Sequence, residues 1–361
     1  METLISTPPD VLSQPVAQPG DGSPLVAVVH NAVSETASAD EADVLVQADA
    51  VEQALKTLGY RVQRLSCDLD LESHRRQLAE LGPLFVFNLV EALGGSDRMI
   101  AAAPLLYEAM GLPYTGSPAS ALVVTSDKVE TKRLLLDAGL PTAGWLAEGS
   151  QSRLSFPGRY ILKCTAEHAS FALHDDAVLQ AHDEDELVAA LARHQERVGR
   201  PCFAEAFVDG REFNLSVLSS PDGPQVLPPA EIDFSNYPRG KPRIVGYEAK
   251  WDESSFEYGH TQRVFDFPAE DRKLLTQLSS LAARAYRLLG LRGYGRIDFR
   301  VNLRGQPWIL EANCNPCLSP DAGFQAALER AGIGFDEAVR RIVADANNWG
   351  QTRFSPEAAR A

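Results

Sequence analysis

The sequence predicts an α/β protein: a parallel sheet flanked by helices at the N-terminus, then a region that mixes helices with further strands. Three observations lead there. Strand-like and helix-like segments alternate from Leu25 to Met110, the pattern of βαβ units. Two of the strand segments, LVAVVH at Leu25–His30 and LFVFNLV at Leu84–Val90, are continuously apolar, as strands covered on both faces are. A chain of 361 residues is long enough for two or three domains, each with its own core.

Residues 1–23 are rich in Pro, Gly and Ser and carry neither a basic start nor an apolar stretch, so they read as a flexible leader rather than a signal peptide. After the Leu25 strand, Asp43–Leu58 has helical spacing, with Val44, Ala48, Val51, Leu55 and Leu58 on one face. Gly59 stops it, and Tyr60–Leu65 forms the next strand. Leu84–Val90 follows, then Gly94-Gly95 and a helix through Leu105–Met110; this first domain is placed at 24–123.

Beyond it, Asp127–Ala138 predicts a helix opened by a D-x-x-E capping pattern, Asp127 and Glu130, and ended by Gly139 and Pro141. Tyr160–Lys163, Cys202–Val208 and Glu212–Leu218 read as strands, with a helix at Glu184–Gln195. Pro221–Phe267 is long and weakly periodic, which marks a functional or disordered segment. A helix at Arg272–Leu289, strands at Tyr294–Val301 and Pro307–Ala312 and a helix near Phe335–Ala344 complete the order, with a loose tail at 351–361.

Composition narrows the function classes. Lys plus Arg number 34 against 49 Asp plus Glu, a net charge of −15 that disfavours nucleic acid as a partner. No apolar run reaches the length of a membrane span, so no membrane association is expected. Five cysteines, an odd number, point to free thiols in a reducing, cytoplasmic compartment.

The strongest local chemistry lies in two strands. In Gly295–Arg300, Arg296 and Asp298 share one face and Ile297 and Phe299 the other. In Trp308–Asn313, Glu311 and Asn313 share a face opposite Trp308 and Leu310. Paired as a hairpin through Asn302–Gly305, these strands bring two carboxylates and an amide oxygen together, a hard-oxygen set suited to Mg²⁺. Taken alone, the same alternation more often marks an ordinary sheet with a solvated polar face, since polar alternation is common.

The rest of the chain carries a resemblance. Gly111-Leu-Pro-Tyr-Thr-Gly-Ser117, Ser126-Asp-Lys128, KRLLLDAGLP at 132–141, Glu205–Glu212, Tyr247-Glu-Ala-Lys250, Gly293–Asp298 and Glu311–Pro316 resemble, in order, the motifs of the D-alanine–D-alanine ligase family. The resemblance spans about residues 25–345. It implies an N-terminal Rossmann-like parallel α/β domain followed by a two-lobed ATP-grasp fold, with a small lobe at 124–206 and a large lobe at 207–350. It also implies an ATP-dependent carboxylate–amine ligase acting through an acyl phosphate, with two Mg²⁺ ions (Mn²⁺ able to substitute), amino-acid or peptide substrates and a homodimer.

At matching positions the resemblance implies roles. Lys128 and Lys163 would contact the α- and β-phosphates and Lys250 the γ-phosphate; read singly, most lysines are solvated surface groups, and Lys163, closing an apolar strand, fits that least. Glu167 and Ser170 belong to the phosphate loop. Glu205, Ala206 and Val208 would meet adenine and Glu212 the ribose. Asp298, Glu311 and Asn313 would hold metal, and Arg296 would face the developing oxyanion.

Departures from the family pattern fall around the substrates. Asp40 stands where a glutamate contacts the first substrate's amino group, and Glu91 either recognises a cation or caps the next turn. The loop after Lys163 has few glycines, which bears on its closure around phosphates. Trp251 follows Lys250 where the family has Tyr or His, Cys317 replaces a glycine, and the serine expected for the second substrate's carboxylate falls at Ala322, near Asp321. Altered substrates are therefore expected. An enzyme that modifies a partner polypeptide and a nucleotide-binding regulatory pseudoenzyme are the alternatives.

Overall fold

The computed structural model describes residues 22–34, 39–152, 154–167 and 173–353. Three sheets follow one another along the chain. The first is parallel, in the order β2-β1-β3, from β1 (Leu25–Asn31), β2 (Arg61–Cys67) and β3 (Val86–Leu89). Helices α1 (Ala39–Thr57), α2 (Leu71–Leu81) and α3 (Ala102–Met110) accompany it. Val26 to Val29 are wholly buried, as the unbroken apolar run requires, and α1 buries Val44, Ala48, Val51 and Leu55 as its spacing predicts.

After α4 (Ala119–Thr125) and α5 (Lys128–Asp137) comes an antiparallel sheet in the order β5-β4-β8-β6-β7. Its strands are β4 (Trp145–Ala147), β5 (Ser150–Gln151), β6 (Gly158–Cys164), β7 (Val178–Ala181) and β8 (Cys202–Ala206), and α6 (Glu184–Val198) packs on it. The third sheet runs β12-β11-β9-β13-β14, with β10 on β9. It contains β9 (Gly210–Leu218), β10 (Gln225–Val226), β11 (Ala230–Asp233), β12 (Gln262–Val264), β13 (Tyr294–Asn302) and β14 (Pro307–Cys314). Short helices α7 (Glu248–Trp251) and α8 (Phe256–Gly259) lie between β11 and β12, and α9 (Arg272–Leu288) packs beneath β9 and β13. Helices α10 (Gly323–Arg330) and α11 (Phe335–Arg353) end the described chain.

Several elements differ from expectation. The strand expected at Leu84–Val90 forms a ladder only over Val86–Leu89, and that at Cys202–Val208 ends at Ala206. The capping pattern on α5 is half realised: Asp127 accepts from the Val129 and Glu130 N–H groups, while the Glu130 carboxylate pairs with Arg133. Pro221–Phe267 holds five elements of two to four residues each, too short to show a period. Helix α11 returns to the first sheet, where Ala338, Val339, Ile342 and Val343 join Val44, Val51 and Leu55 in one core. Among the described residues no helix is long and apolar enough to cross a membrane.

Candidate active site

The hairpin of β13 and β14 forms as expected, with Asp298 opposite Glu311 and Arg296 opposite Asn313. The alternation beyond them does not hold, because a β-bulge intervenes. Phe299 pairs with Ile309, which leaves Leu310 as an extra residue, and Trp308 pairs with Arg300 on the Asp298 face rather than the opposite one. Ile309 and Ala312, three apart, therefore both enter the core, and the consecutive Leu310 and Glu311 both line one cavity. An extra residue in one strand re-aims every side chain on its far side.

That cavity, about 1100 Å³, lies among the three sheets and gathers most of the expected residues. Lys128, Lys163, Glu167, Glu205, Ala206, Val208, Glu212, Lys250, Arg296, Asp298, Glu311 and Asn313 all line it, as do Glu91, Trp251, Cys317 and Asp321. Ser170 lies outside the described residues, and Asp40 belongs to α1 with its side chain outside them.

The acidic centre is tightly bonded. Arg296 makes a bidentate contact with Asp298, Nε to Oδ1 at 2.8 Å and Nη2 to Oδ2 at 2.9 Å. Asn214 Nδ2 donates to Asp298 Oδ1 at 2.9 Å, and Asn313 Nδ2 donates to Asp298 Oδ2 at 3.0 Å and Glu311 Oε1 at 3.2 Å. Burial pushes Asp298 up, and the adjacent Glu311 adds to that; Arg296 opposes without prevailing. Burial also raises Glu311, but Lys128, Lys250 and Arg296 outweigh it and hold that carboxyl well below the usual range.

The donor set fits a hard divalent ion: two carboxylates and an amide, with three ammonium groups placed for phosphate oxygens. Ligation by Asn313 requires its amide to turn, so that oxygen rather than Nδ2 faces the ion. Among the described residues no group of three or more His, Cys, Asp or Glu side chains converges for a metal. An ion here needs oxygens from outside the protein, as Mg²⁺ commonly does.

Around this centre the lysines are fixed by acids. Lys128 Nζ reaches Glu167 Oε1 at 2.9 Å and Glu311 Oε2 at 3.7 Å; burial lowers its pKa, but these carboxylates win and raise it. Lys163, opposite Phe203 on β8, donates to Glu205 Oε2 at 2.6 Å, and Lys132, wholly buried on α5, pairs with the other oxygen of the same carboxylate. Burial raises Glu205, and the two lysines overcome it, so the carboxyl is held low. Both Glu205 oxygens therefore face ammonium groups, and the carboxylate fixes Lys163 at the cavity wall. At the edge of the cavity the Val208 N–H has no partner among the described residues, a donor available to a planar base.

Glu212 is held by Arg300, which sits inside the fold and also donates to the carbonyls of Val208, Gly210 and Arg243. Burial raises the Glu212 carboxyl against the pull of Arg300. Lys250 on α7 faces Glu311 and Arg296; burial and Arg296 lower its pKa more than Glu311 raises it.

The N-terminal sheet contributes an acidic edge. Gln47, buried on α1, donates from Nε2 to Glu91 Oε1 at 2.8 Å and Asp43 Oδ2 at 3.4 Å, and its Oε1 accepts from the Leu318 N–H at 3.0 Å. Cys317 and Ser319 donate to Asp43 at 3.0 and 2.8 Å. Burial and then Asp43 push the Cys317 thiol up, so it stays protonated. All five cysteines are free.

Residues of the site that were not singled out in the sequence include Asp43, Gln47, Lys132, Asn214, Arg263 and Arg300. Asn214 and Arg300 carry a legible signal, since each continues the period-two face of Glu212 or of Arg296 and Asp298. Lys132 occupies a buried position of α5. Arg263 lies in the aperiodic stretch and had none.

The sequence model of the D-ala D-ala ligase C-terminus matches residues 150–344. The chain is 31% identical to the D-alanine–D-alanine ligase of Moorella thermoacetica over 83% of its own length and 93% of that protein. It is 29% identical to the Synechococcus enzyme of the same name over 90% and 95%. In fold it matches the crystal structure of D-alanine–D-alanine ligase from Bacillus anthracis complexed with ATP, with a TM-score of 0.67 and 18% identity, over 92% of this chain and all of that one. The chain belongs to the D-alanine–D-alanine ligase family of ATP-grasp ligases.

Proposed function

We propose that this chain uses ATP and Mg²⁺ to join the carboxylate of one amino acid or short peptide to the amine of another. The observation that carries the reading is the convergence of Lys128, Lys163 and Lys250 with Asp298, Glu311, Asn313 and Arg296 on one cavity.

In this reading the Val208 N–H and the chain at Ala206 meet the base, Glu212 holds the ribose, and Lys128 and Lys163 hold the phosphates as point charges. Asp298, Glu311 and Asn313 hold Mg²⁺, which when bound neutralises phosphate oxygens. A substrate carboxylate attacks the γ-phosphorus, the bond to the ADP oxygen breaks, and an acyl phosphate results. Lys250 steadies the transferring group. The amine then attacks the acyl carbon, Arg296 faces the oxyanion, and phosphate leaves as the amide forms. Asp43 and Glu91 face the donor's ammonium group, with Gln47 holding both carboxylates at one amide. Trp251 and Cys317 reshape the substrate end, which favours a pair other than two D-alanines. Family membership supports a homodimer, which sedimentation tests, and the free thiols fit a cytoplasmic setting.

The test is ADP release by the purified protein with ATP, Mg²⁺ and pooled amino acids, with products read by mass spectrometry. Release that requires two substrates, yields an amide mass and vanishes in Glu311→Gln supports the proposal. ADP release indifferent to every amino acid sinks it.

A further inference from the structure

Two of the five free cysteines face each other. Cys164 ends β6, Cys202 opens β8, and the two are register partners in the antiparallel ladder. The Phe207 N–H donates to the Arg159 carbonyl and the Thr165 N–H to the Pro201 carbonyl, so these and every second pair between them are the hydrogen-bonded rungs. Cys164 and Cys202 fall on a non-hydrogen-bonded rung, where Cα atoms stand about 4.5 Å apart and side chains come closest. The Cys202 backbone N–H donates instead to Gln195 Oε1 at 3.1 Å. The two Sγ atoms are 3.8 Å apart, on a backbone spacing that a disulfide can span.

The other thiols are not arranged this way. Among the described residues no other two cysteine sulfurs touch, and burial pushes Cys67 up to about 12 and Cys314 up to about 11. The Cys202 thiol, by donating to Cys164, holds the latter below its usual value. Both side chains are buried, but Pro201 beside Cys202 is exposed, so a small oxidant suits them better than a bulky one. The pair also stands at the root of the segment that leads to Glu167. Lys163 precedes Cys164 and lines the cavity, and the Thr165 carbonyl accepts from the Lys128 N–H at 2.9 Å. Glu167 then holds Lys128 Nζ at 2.9 Å.

We infer that Cys164 and Cys202 form an oxidative modification site, at which a hydroperoxide converts the facing thiols to a disulfide that displaces Lys163 and slows ATP use. The Cys164 sulfur attacks a peroxide oxygen, the O–O bond breaks, and water leaves as a sulfenic acid forms. The Cys202 sulfur then attacks the Cys164 sulfur, whose oxygen departs as a second water. The two thiols give up two electrons and two protons, and the peroxide takes up both. Closing the gap from 3.8 Å to about 2 Å draws the ends of β6 and β8 together, next to Lys163 and the Thr165 contact with Lys128. Thiol reductants reopen the bond, so a reducing compartment keeps the pair as thiols until oxidant arrives. The effect on turnover rests on the ligase reading above; formation of the bond does not.

The experiment treats the reduced wild type and the double variant Cys164→Ala with Cys202→Ala with hydrogen peroxide. Peptides are mapped by mass spectrometry without reductant, and ADP formation is followed with ATP, Mg²⁺ and pooled amino acids. Expected in the wild type is a peptide pair joined through Cys164 and Cys202, lighter by two hydrogens. ADP formation falls about 10- to 100-fold with it, the scale of a small misplacement near the reacting groups, and returns with dithiothreitol. The double variant matches the reduced wild type and keeps its rate in peroxide; Cys202→Ser, closer in size, is the second resistant variant should the double variant fold poorly. Unlinked peptides after peroxide, a link that leaves the rate unchanged, or equal inactivation of the resistant variants overturns the inference while leaving the ligase reading intact. Absence of ADP formation by the reduced wild type with every substrate overturns the ligase reading and the switch with it, even where the mass map shows the bond.

Discussion

Lys163 and Glu205 meet at 2.6 Å across β6 and β8, and Lys132 of α5 reaches the same buried carboxylate. Three charges thus share one largely buried spot, and removing the acid leaves two ammonium groups facing each other. Glu205→Gln should destabilise the protein by about 3 kcal/mol, the scale for a broken buried ion pair. Urea unfolding followed by circular dichroism measures it. A loss under about 1 kcal/mol would mean that the lysines find other partners.

Glu311 is held anionic by four cations, Lys128, Lys250, Arg296 and Lys163, and lies one residue beyond the bulge that aims it into the cavity. Glu311→Gln keeps the shape and removes the charge. ADP formation should fall at least about 100-fold, and the Mg²⁺ concentration for half-maximal rate should rise. A magnesium titration of both proteins reads this, and near-normal activity would remove Glu311 from the metal set.

Lys250 carries a pH prediction whose sign follows from its lowered pKa. Between the folded value and the usual 10.5, the unfolded chain holds more protons, so stability rises with pH through that window. Below it the cost of keeping Lys250 charged in the cavity is fully present. Lys250→Met removes that cost, so at pH 7 the variant should melt no lower than the wild type, with its margin shrinking as pH climbs toward 10.5. ADP formation should meanwhile drop about 100-fold. Melting curves across pH decide it; a variant clearly less stable at pH 7 is the contrary result.

Arg300 ties Glu212 to the carbonyls of Val208 and Gly210, where β8 passes to β9, and to that of Arg243 in the segment before α7. Arg300→Met should cost about 3–5 kcal/mol, since Glu212 is left buried and unpaired. It should also raise the KM for ATP, because Glu212 loses its anchor. A stable variant with unchanged KM would argue that Glu212 does not touch the nucleotide.

Much of the site was legible because period-two alternation in a strand fixes which residues share a face. Arg296 with Asp298 and Glu311 with Asn313 came together as that rule requires, and the apolar runs at Leu25 and Leu84 formed buried parallel strands. The same rule misplaced Trp308, because nothing in PWILEAN marks the bulge at Leu310. The partners of Glu205 were not legible either: its lysines stand 42 and 73 residues earlier in the chain, and only packing of α5 and β6 against β8 brings them together.

By itself, then, the sequence determined the order of elements, the acidic strands and the family, since these depend on local spacing and on motifs read in order. The tertiary structure alone decided which charges neutralise one another. Glu205 was claimed by Lys132 and Lys163, Glu212 by Arg300 and Asp298 by Arg296. The reason is physical: ion pairing depends on distances between segments far apart in the chain and on burial, and neither is written in local periodicity.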